Sequence, residues 1–259
     1  MLKVGRTPRS APGPLARLLA VGFLLLTAAQ AAHAQDERQV TSPDGQLQFR
    51  LFTAVPEGSA LNCLAYQVWW HGKPLLDTSY LGLNIHYQEP FLGENVGLIS
   101  DKPLHAANYN GLFADYLQVS TTGRRIQFEV RVWNDGIAFR YTVPKSALLM
   151  ELLIEDETTQ FYFMQGLAGR PAHAALPYAE EVPGVGWVGI YESPMAGFPP
   201  MQLVRSDAHL LAVHLPDKPH DPKVAFEGST PWTGPWRILA IAPTRDRLAQ
   251  SEVLRDLLH

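Results

Sequence analysis

The residues of this sequence best suited to chemistry are carboxylates in one irregular stretch. Glu180 and Glu181 lie in Leu-Pro-Tyr-Ala-Glu-Glu-Val-Pro, and Glu192 follows in Ile-Tyr-Glu-Ser-Pro-Met. Two carboxyl groups that face each other can cleave a glycosidic bond by acid and base catalysis. Carboxylate oxygens are also ligands of calcium. The alternative is that all three are solvated loop acids, which is the common state of glutamate.

Aromatic side chains near these carboxylates are candidates for a carbohydrate-binding or interface surface. Trp187 and Tyr191 lie in the same stretch, and Trp232 follows a Ser-Thr-Pro segment. Aromatic side chains combine a large apolar face with a polar edge, which suits them to stack on sugar rings. Large aromatics in strands more often pack in a core, so this second reading stays open.

Familiar catalytic motifs are missing from the sequence. It has no G-x-S-x-G, no G-x-x-x-x-G-K-[ST] and no H-E-x-x-H. Cys63 is the single cysteine, which excludes a disulfide within the chain and a cysteine-pair zinc site. We expect Cys63 to be a buried apolar side chain, and we expect the scattered histidines to be solvated or in the core.

The first 34 residues have the three parts of a secretory signal peptide. Four basic residues precede the uncharged run from Leu18 to Ala29, and Ala32-His33-Ala34 supplies a small-x-small cleavage site. The run of 12 residues is shorter than the roughly 20 that a membrane-spanning helix needs. The sequence therefore predicts cleavage after Ala34 and a periplasmic or secreted protein; an uncleaved anchor is the alternative.

The net charge that remains after the leader disfavours two classes of partner. The leader removes four of the 21 basic residues and no acidic residue, which leaves 17 basic against 25 acidic side chains, a balance of −8. Such a chain has no electrostatic reason to bind nucleic acid or an anionic membrane. After the leader, the longest apolar stretch, Ala147 to Ile154, is too short to cross a bilayer.

Short alternating runs after the leader predict an all-β fold. In the run from Arg125 to Trp133 every second residue is apolar, the turn Asn134-Asp135-Gly136 follows, and Ile137 to Val143 alternates again. Further runs of this kind start near residues 46, 61, 81, 161, 201, 209 and 236. Many short strands separated by turn signals are typical of an antiparallel β-sandwich.

Three segments depart from that alternation. Leu92 to Gly111 and Pro171 to Pro200 are rich in glycine and proline, and we expect irregular loops there. Arg245 to His259 carries leucines and a valine at spacings that predict a short C-terminal helix.

Three motifs together resemble one known family. They are Ser-Pro-Asp-Gly-Gln-Leu from Ser42, Trp-Asn-Asp-Gly-Ile-Ala-Phe-Arg-Tyr from Trp133, and Ser-Thr-Pro-Trp from Ser229 with Trp236-Arg237-Ile238. Their order and spacing resemble the N-terminal domain of glycoside hydrolase family 97, which includes bacterial α-glucosidases and α-galactosidases. The resemblance covers about Gln39 to Ser251, so the domain is expected to span residues 35–259.

The resemblance implies a β-super-sandwich of the galactose-mutarotase-like type, followed in the family by a (β/α)8 barrel. The family's catalytic acid and its base or nucleophile lie in that barrel. No residue of these 259 is therefore assigned as catalytic. The implied partners are carbohydrate or a glycosidase barrel.

The resemblance also implies a role for one glutamate of the sandwich. In the family, such a glutamate reaches across to help hold a calcium ion at the barrel's active site, before a segment similar to Phe198-Pro199-Pro200-Met201. Spacing favours Glu180 or Glu181, whereas Glu192 follows a tyrosine as the family's glutamate tends to. Because calcium takes six to eight oxygen ligands, we expect tight binding only where a barrel supplies the others.

The C-terminal residues differ from the family. Ser251 to His259 looks more helical than the strand-like segment that leads into the family's barrel. Three hypotheses follow: an exported accessory module that is not catalytic alone, the N-terminal fragment of a calcium-dependent α-glycosidase whose barrel is encoded separately or lost, and a structural exported domain without a ligand.

Overall fold

Antiparallel strands in three sheets dominate the computed structural model, which describes residues 36–119, 123–146, 149–167, 173–221 and 223–258. The leader predicted at residues 1–34 lies outside the described residues. The predicted all-β sandwich is confirmed. No helix of the described residues is long and apolar enough to cross a membrane.

The strands are numbered along the chain. The first sheet has the order β1 (Arg38–Thr41), β2 (Leu47–Ala54), β3 (Cys63–Trp70), β4 (Lys73–Tyr80), β12 (Gln160–Phe163), β17 (Leu210–His214), β16 (Gln202–Arg205), β13 (His173–Ala174). The second has the order β14 (Tyr178–Val182), β15 (Gly186–Glu192), β20 (Arg237–Ala242), β10 (Gly136–Val143), β9 (Arg125–Trp133), β8 (Asn110–Gln118), β7 (Val96–His105), with β19 (Trp232–Thr233) beside β10. The third has the order β18 (Phe226–Ser229), β11 (Glu151–Glu157), β5 (Leu83–Ile85), β6 (Gln88–Leu92).

An aromatic cluster joins the first two sheets. Phe49 of β2 stacks on Phe128 of β9 with ring centroids 6.0 Å apart, and Tyr66 of β3 lies 5.4 Å from Phe139 of β10. All four rings are fully buried. Because aromatic pairs stabilise by about 0.5–1.5 kcal/mol beyond their buried area, this cluster fixes the two sheets face to face.

The central hairpin forms as its alternation predicts. Trp133 pairs with Gly136 across the turn at Asn134 and Asp135, and the ladder continues to Gln127 and Thr142. The inward residues Ile126, Phe128, Val130 and Val132 are all fully buried. The period of two thus gives both the strand pairing and its core face.

The two stretches predicted as irregular loops both contain strands, and the prediction was wrong for those strands; the segment 193–200 is irregular as predicted. Leu92 to Gly111 contains β7, the longest strand, which lies at the edge of the second sheet and is mostly exposed. An edge strand with one solvated side has no need of alternating apolar residues, so its pattern carries no strand signal. In Pro171 to Pro200, the described residues include β13, β14 and β15.

Two short helices, α1 (Arg245–Leu248) and α2 (Glu252–Leu258), confirm the predicted C-terminal helix. They pack on the outer face of the second sheet, where Trp133 is fully buried and donates its indole N–H to Asp256 at 2.8 Å. Asp135 accepts hydrogen bonds from the backbone N–H groups of Glu252 at 2.5 Å and Val253 at 3.3 Å. The hairpin turn therefore caps the helix, satisfying donors that a helix start leaves unpaired.

A β-bulge interrupts β11 between Ile154 and Asp156. The extra residue, Glu155, lets both Glu155 and Asp156 remain partly exposed, whereas Ile154 before them and Glu157 after them are buried. A bulge changes which face the following side chains occupy. Here it sends Glu157 into the core.

Burial governs the only cysteine as well. Cys63 is 2% exposed at the start of β3. Burial, with a smaller contribution from the charge of Glu94, raises the pKa of the thiol to about 11. This fits the expected apolar role, because a thiol that stays protonated is a poor nucleophile.

The capping contact of Asp135 yields a prediction. Asp135→Ala removes both acceptors at the start of α2 and should lower stability by about 1 kcal/mol, or about 2–4 °C in melting temperature. Thermal unfolding followed by circular dichroism measures the change. Asp246→Ala, an exposed acid in α1, is the control and should melt within about 1 °C of the unmodified protein. Equal melting temperatures for both variants would contradict the capping role.

Candidate functional site

An open pocket of about 350 Å³ lies at the end of β15, lined by Leu176, Glu192 and residues of the segment 193–200. The strand stops at Glu192 because Pro194, two residues on, has no N–H for a ladder bond. The segment then turns, with the N–H of Phe198 donating to the carbonyl of Met195 at 3.2 Å. The result is a largely apolar wall around one carboxylate.

Glu192 is held in a single orientation. Its Oε1 accepts from Nη1 of Arg237 at 2.6 Å, and its Oε2 accepts from the backbone N–H of Met201 at 2.8 Å. Glu192 and Arg237 are direct cross-strand partners between β15 and β20. Because a carboxylate has about four lone-pair sites, each oxygen can still accept one further contact from the pocket.

Arg237 connects this carboxylate to a second one in the core. Its side chain is 1% exposed and also pairs with Glu157 of β11, to which Nε donates at 3.0 Å. Three strands from two sheets thus meet at one guanidinium. Buried charges are found in proteins when they are paired and hydrogen-bonded in this way.

The hydrogen bonds continue from Glu157 further into the core. Thr159 donates its hydroxyl to Glu157 Oε1 at 2.6 Å, since an ionised carboxylate only accepts. The single hydroxyl hydrogen of Thr159 is then used, so Tyr141 donates to Thr159 at 2.6 Å. The N–H of Gly82 in turn donates to the Tyr141 oxygen at 3.3 Å.

Burial and the charges of this cluster shift the pKa values of Arg237 and Tyr141. Burial alone lowers the pKa of Arg237, but the carboxylates of Glu157 and Glu192 outweigh burial and raise that pKa above its ordinary value. Burial, followed by the charge of Glu157, raises the pKa of Tyr141 well above 10. The formal charges of Arg237, Glu157 and Glu192 sum to −1, and the excess negative charge lies at the pocket because Glu192 lines it.

The other two predicted glutamates lie outside this pocket, on the neighbouring strand β14. Glu180 accepts from the hydroxyl of Tyr178 and pairs with Arg205 at 3.5 Å. Glu181 is exposed and lies across from Trp187. Of the three candidates, the structure therefore brings Glu192 alone into the pocket.

The described residues do not fit a calcium ion held by this chain alone. In the part of the chain that the structure describes, no group of three or more His, Cys, Asp or Glu side chains is placed to hold a metal. Glu192 also shares its oxygens with a cation and an N–H group, so it can give two oxygen ligands at most, and calcium takes six to eight.

The three candidate aromatics occupy different environments. Trp187 and Tyr191 are half-buried on the outer face of the second sheet, and the Tyr191 ring lies across Gly189 between them. The guanidinium of Arg245 lies 5.6 Å from the Trp187 ring. Trp232 is 7% exposed and packs 5.5 Å from Phe198, so it presents little ring surface to a ligand.

Sequence reasoning missed Glu157 and the role of Arg237. A signal for Arg237 was present, because a lone arginine opens the otherwise apolar strand Arg-Ile-Leu-Ala-Ile-Ala. No such signal marked Glu157, which stands in Glu-Asp-Glu and faces the core only because of the bulge.

Several known proteins are similar to this chain. The family model described as Glycosyl-hydrolase 97 N-terminal matches residues 40–173. Among solved structures, a glycoside hydrolase family 97 enzyme from Pseudoalteromonas sp. strain K8 in complex with acarbose superposes with a TM-score of 0.72 at 18% identity, covering 86% of this chain and 38% of that one. A β-arabinopyranosidase superposes with a TM-score of 0.64 at 21% identity, covering 80% and 40%. No curated protein matches the sequence.

The fold is that of an antiparallel β-sandwich domain that occurs within larger glycosidases. The family model matches more than half of the sequence, and the chain belongs to the Glycosyl-hydrolase 97 N-terminal family. The chain spans about two fifths of the length of the solved enzymes, whose low identity supports the fold alone.

The buried pair yields a second prediction. Glu157→Gln leaves Arg237 buried with one carboxylate in place of two and should lower the free energy of unfolding by about 1.5–3 kcal/mol, the usual value for hydrogen bonds to a charged group. Urea denaturation measures it. The control is Asp101→Asn, which breaks the partly exposed pair of Arg38 and Asp101 and should cost at most about 1 kcal/mol. Similar losses in both variants would show that Glu157 does not compensate the buried charge.

Proposed function

We propose that this chain is an exported, non-catalytic β-sandwich domain that docks on a glycosidase barrel through the pocket at Glu192. The observation that carries the proposal is a carboxylate fixed by a buried arginine at the floor of an open, apolar-walled pocket. A rigid carboxylate of this kind suits a contact that must be made at one defined position. The family membership supports a barrel as the partner.

Calcium enters this proposal only together with a barrel. Glu192 keeps one lone-pair site on each oxygen, and its cluster with Arg237 and Glu157 has a net formal charge of −1, which favours a cation. The barrel would have to give most of the ligands, because this chain gives one carboxylate there. Of the three glutamates, Glu192 is our candidate ligand.

The reaction class proposed for the assembled protein is α-glycoside hydrolysis. Two structures of a family 97 enzyme from Pseudoalteromonas sp. strain K8 are described in complex with acarbose and, for a point variant, with panose, and a further similar structure is a β-arabinopyranosidase. These names differ in their sugars, so the class proposed here is a glycoside without a named sugar. A domain without any ligand is the alternative that the following experiment also tests.

The docking proposal predicts that the chain is recovered together with a barrel. The tagged chain is expressed in its own host, and peptide mass spectrometry identifies a barrel that co-purifies with it or belongs to the same polypeptide. Hydrolysis of nitrophenyl α-glucoside and α-galactoside is measured on the same material. We expect activity only with a barrel, loss of activity on calcium chelation, and at least about tenfold weaker activity for Glu192→Gln.

Met195→Asp tests the pocket wall, and Ile99→Asp, at an exposed apolar residue of β7, is its matched control. Met195→Asp should release the barrel or lower its activity, since a charge in an apolar interface is not solvated. The docking proposal fails if no barrel is recovered, or if both variants behave alike.

Export is tested separately. The leader of residues 1–34 supports secretion, and N-terminal sequencing of protein from the periplasm or medium should begin at Gln35. Material retained in the cytoplasm with Met1 at its start would refute export.

A further inference from the structure

The tip of the β5–β6 hairpin displays a tyrosine. Ile85 pairs with Gln88, which leaves His86 and Tyr87 as a two-residue turn. Tyr87 is 85% exposed and has a φ of 56°, a backbone conformation that favours glycine or asparagine. An aromatic ring at such a position is unusual, and unfavourable backbone conformations cluster at binding sites.

This tip is anchored from both sides. The buried guanidinium of Arg124 donates to Gln88 Oε1 at 2.9 Å and to the carbonyl of Pro90 at the hairpin's base. At the tip, His86 Nδ1 is bonded to Glu155, the extra residue of the bulge. The Tyr87 ring lies against the His86 ring, with centroids 3.7 Å apart. A ligand that stacks on Tyr87 would therefore meet a surface that is already ordered.

A pocket of about 360 Å³ lies beside the tip. It is lined by Ile85, His86, Gln88 and the segment 149–153, and it shares no lining residue with the pocket at Glu192. Its volume is at the lower end of the range for small-molecule sites, about 300–1,000 Å³. The exposed side chain of Met150 adds an apolar wall.

The polar groups of this pocket suit hydroxyl groups. Glu155 is bonded to Nδ1 of His86, which leaves Nε2 of the ring as the nitrogen for a ligand hydroxyl group. Gln88 accepts through Oε1, which leaves its N–H groups as donors, and the Glu151 carboxylate is a further acceptor. Among the described lining residues there is no lysine or arginine, which disfavours phosphate and other anions.

We propose that the His86–Tyr87 tip and its neighbouring pocket bind one neutral pyranose ring, with its apolar face on Tyr87 and its hydroxyl edge at His86, Gln88 and Glu151. Such a site needs no barrel, so the experiment on it can fail or succeed whatever the result for docking at Glu192. It would bind a saccharide chain at a place separate from the pocket at Glu192.

Titration of the ¹⁵N-labelled domain with panose and with methyl α-glucopyranoside tests the proposal by amide chemical shifts. We expect shifts confined to residues 84–88 and 149–153, with a dissociation constant of about 1 mM. Tyr87→Asn removes the ring but suits the positive φ, so the fold is kept, and binding should weaken by at least about tenfold. His86→Gln should weaken it as well.

Two further variants complete the experiment. Val119→Asn changes an exposed apolar residue outside the pocket and should leave the affinity unchanged. Trp187→Ala tests the aromatic surface of the second sheet. The proposal is overturned if neither sugar shifts the tip residues at 20-fold excess over the expected constant, if Tyr87→Asn binds normally, or if Trp187→Ala alone abolishes binding.

Discussion

The guanidinium of Arg237 has almost no contact with solvent, so its charge must be compensated inside the protein. Glu157 of β11 and Glu192 of β15 provide that compensation, one from each of two sheets. Replacing the arginine alone would leave two carboxylates without a cation, whereas replacing all three by apolar residues is often tolerated in such groups. The cluster therefore defines how the third sheet meets the second, and it delivers one carboxylate to a pocket whose position depends on the core.

Residues of the motifs that resemble the family make hydrogen bonds between distant parts of the chain. The backbone N–H of Asp44, in the first motif, donates to the side chain of Asn134 in the second at 3.0 Å. Asp135 caps α2, and Arg237, in the third motif, holds Glu192. The turn residues of the first two motifs thus bond to residues 90 or more positions away, in addition to forming the turns themselves.

The sequence predicts those parts of the fold where one face of a strand is buried and the other solvated. The hairpin from Arg125 to Val143 meets that condition, and its pairing follows. The exposed edge strand β7 does not, and neither do the strands within 171–200, whose glycines and prolines are typical of loops. The site was predictable only in part: Glu192 was one of three candidate glutamates, and its partner Arg237 lies 45 residues away in the sequence. The second partner of that arginine, Glu157, lies 80 residues from it and is brought there by sheet topology. Pattern along a chain cannot show which distant charges are brought together.

The bulge at Glu155 has a consequence for the comparison of related sequences. Side chains on a regular strand change face with every residue, so an additional residue would exchange inside and outside for all that follow unless a bulge absorbs it. Glu155 and Asp156 meet His86 and His214 at the surface, and Glu157 meets Arg237 in the core. A homologue lacking Glu155 or Asp156 would pair β11 with β5 without the bulge and would still turn the last glutamate toward the arginine. In any alignment of this family, a gap at either of these two acids therefore marks the loss of a surface contact to a histidine, with the buried pair kept.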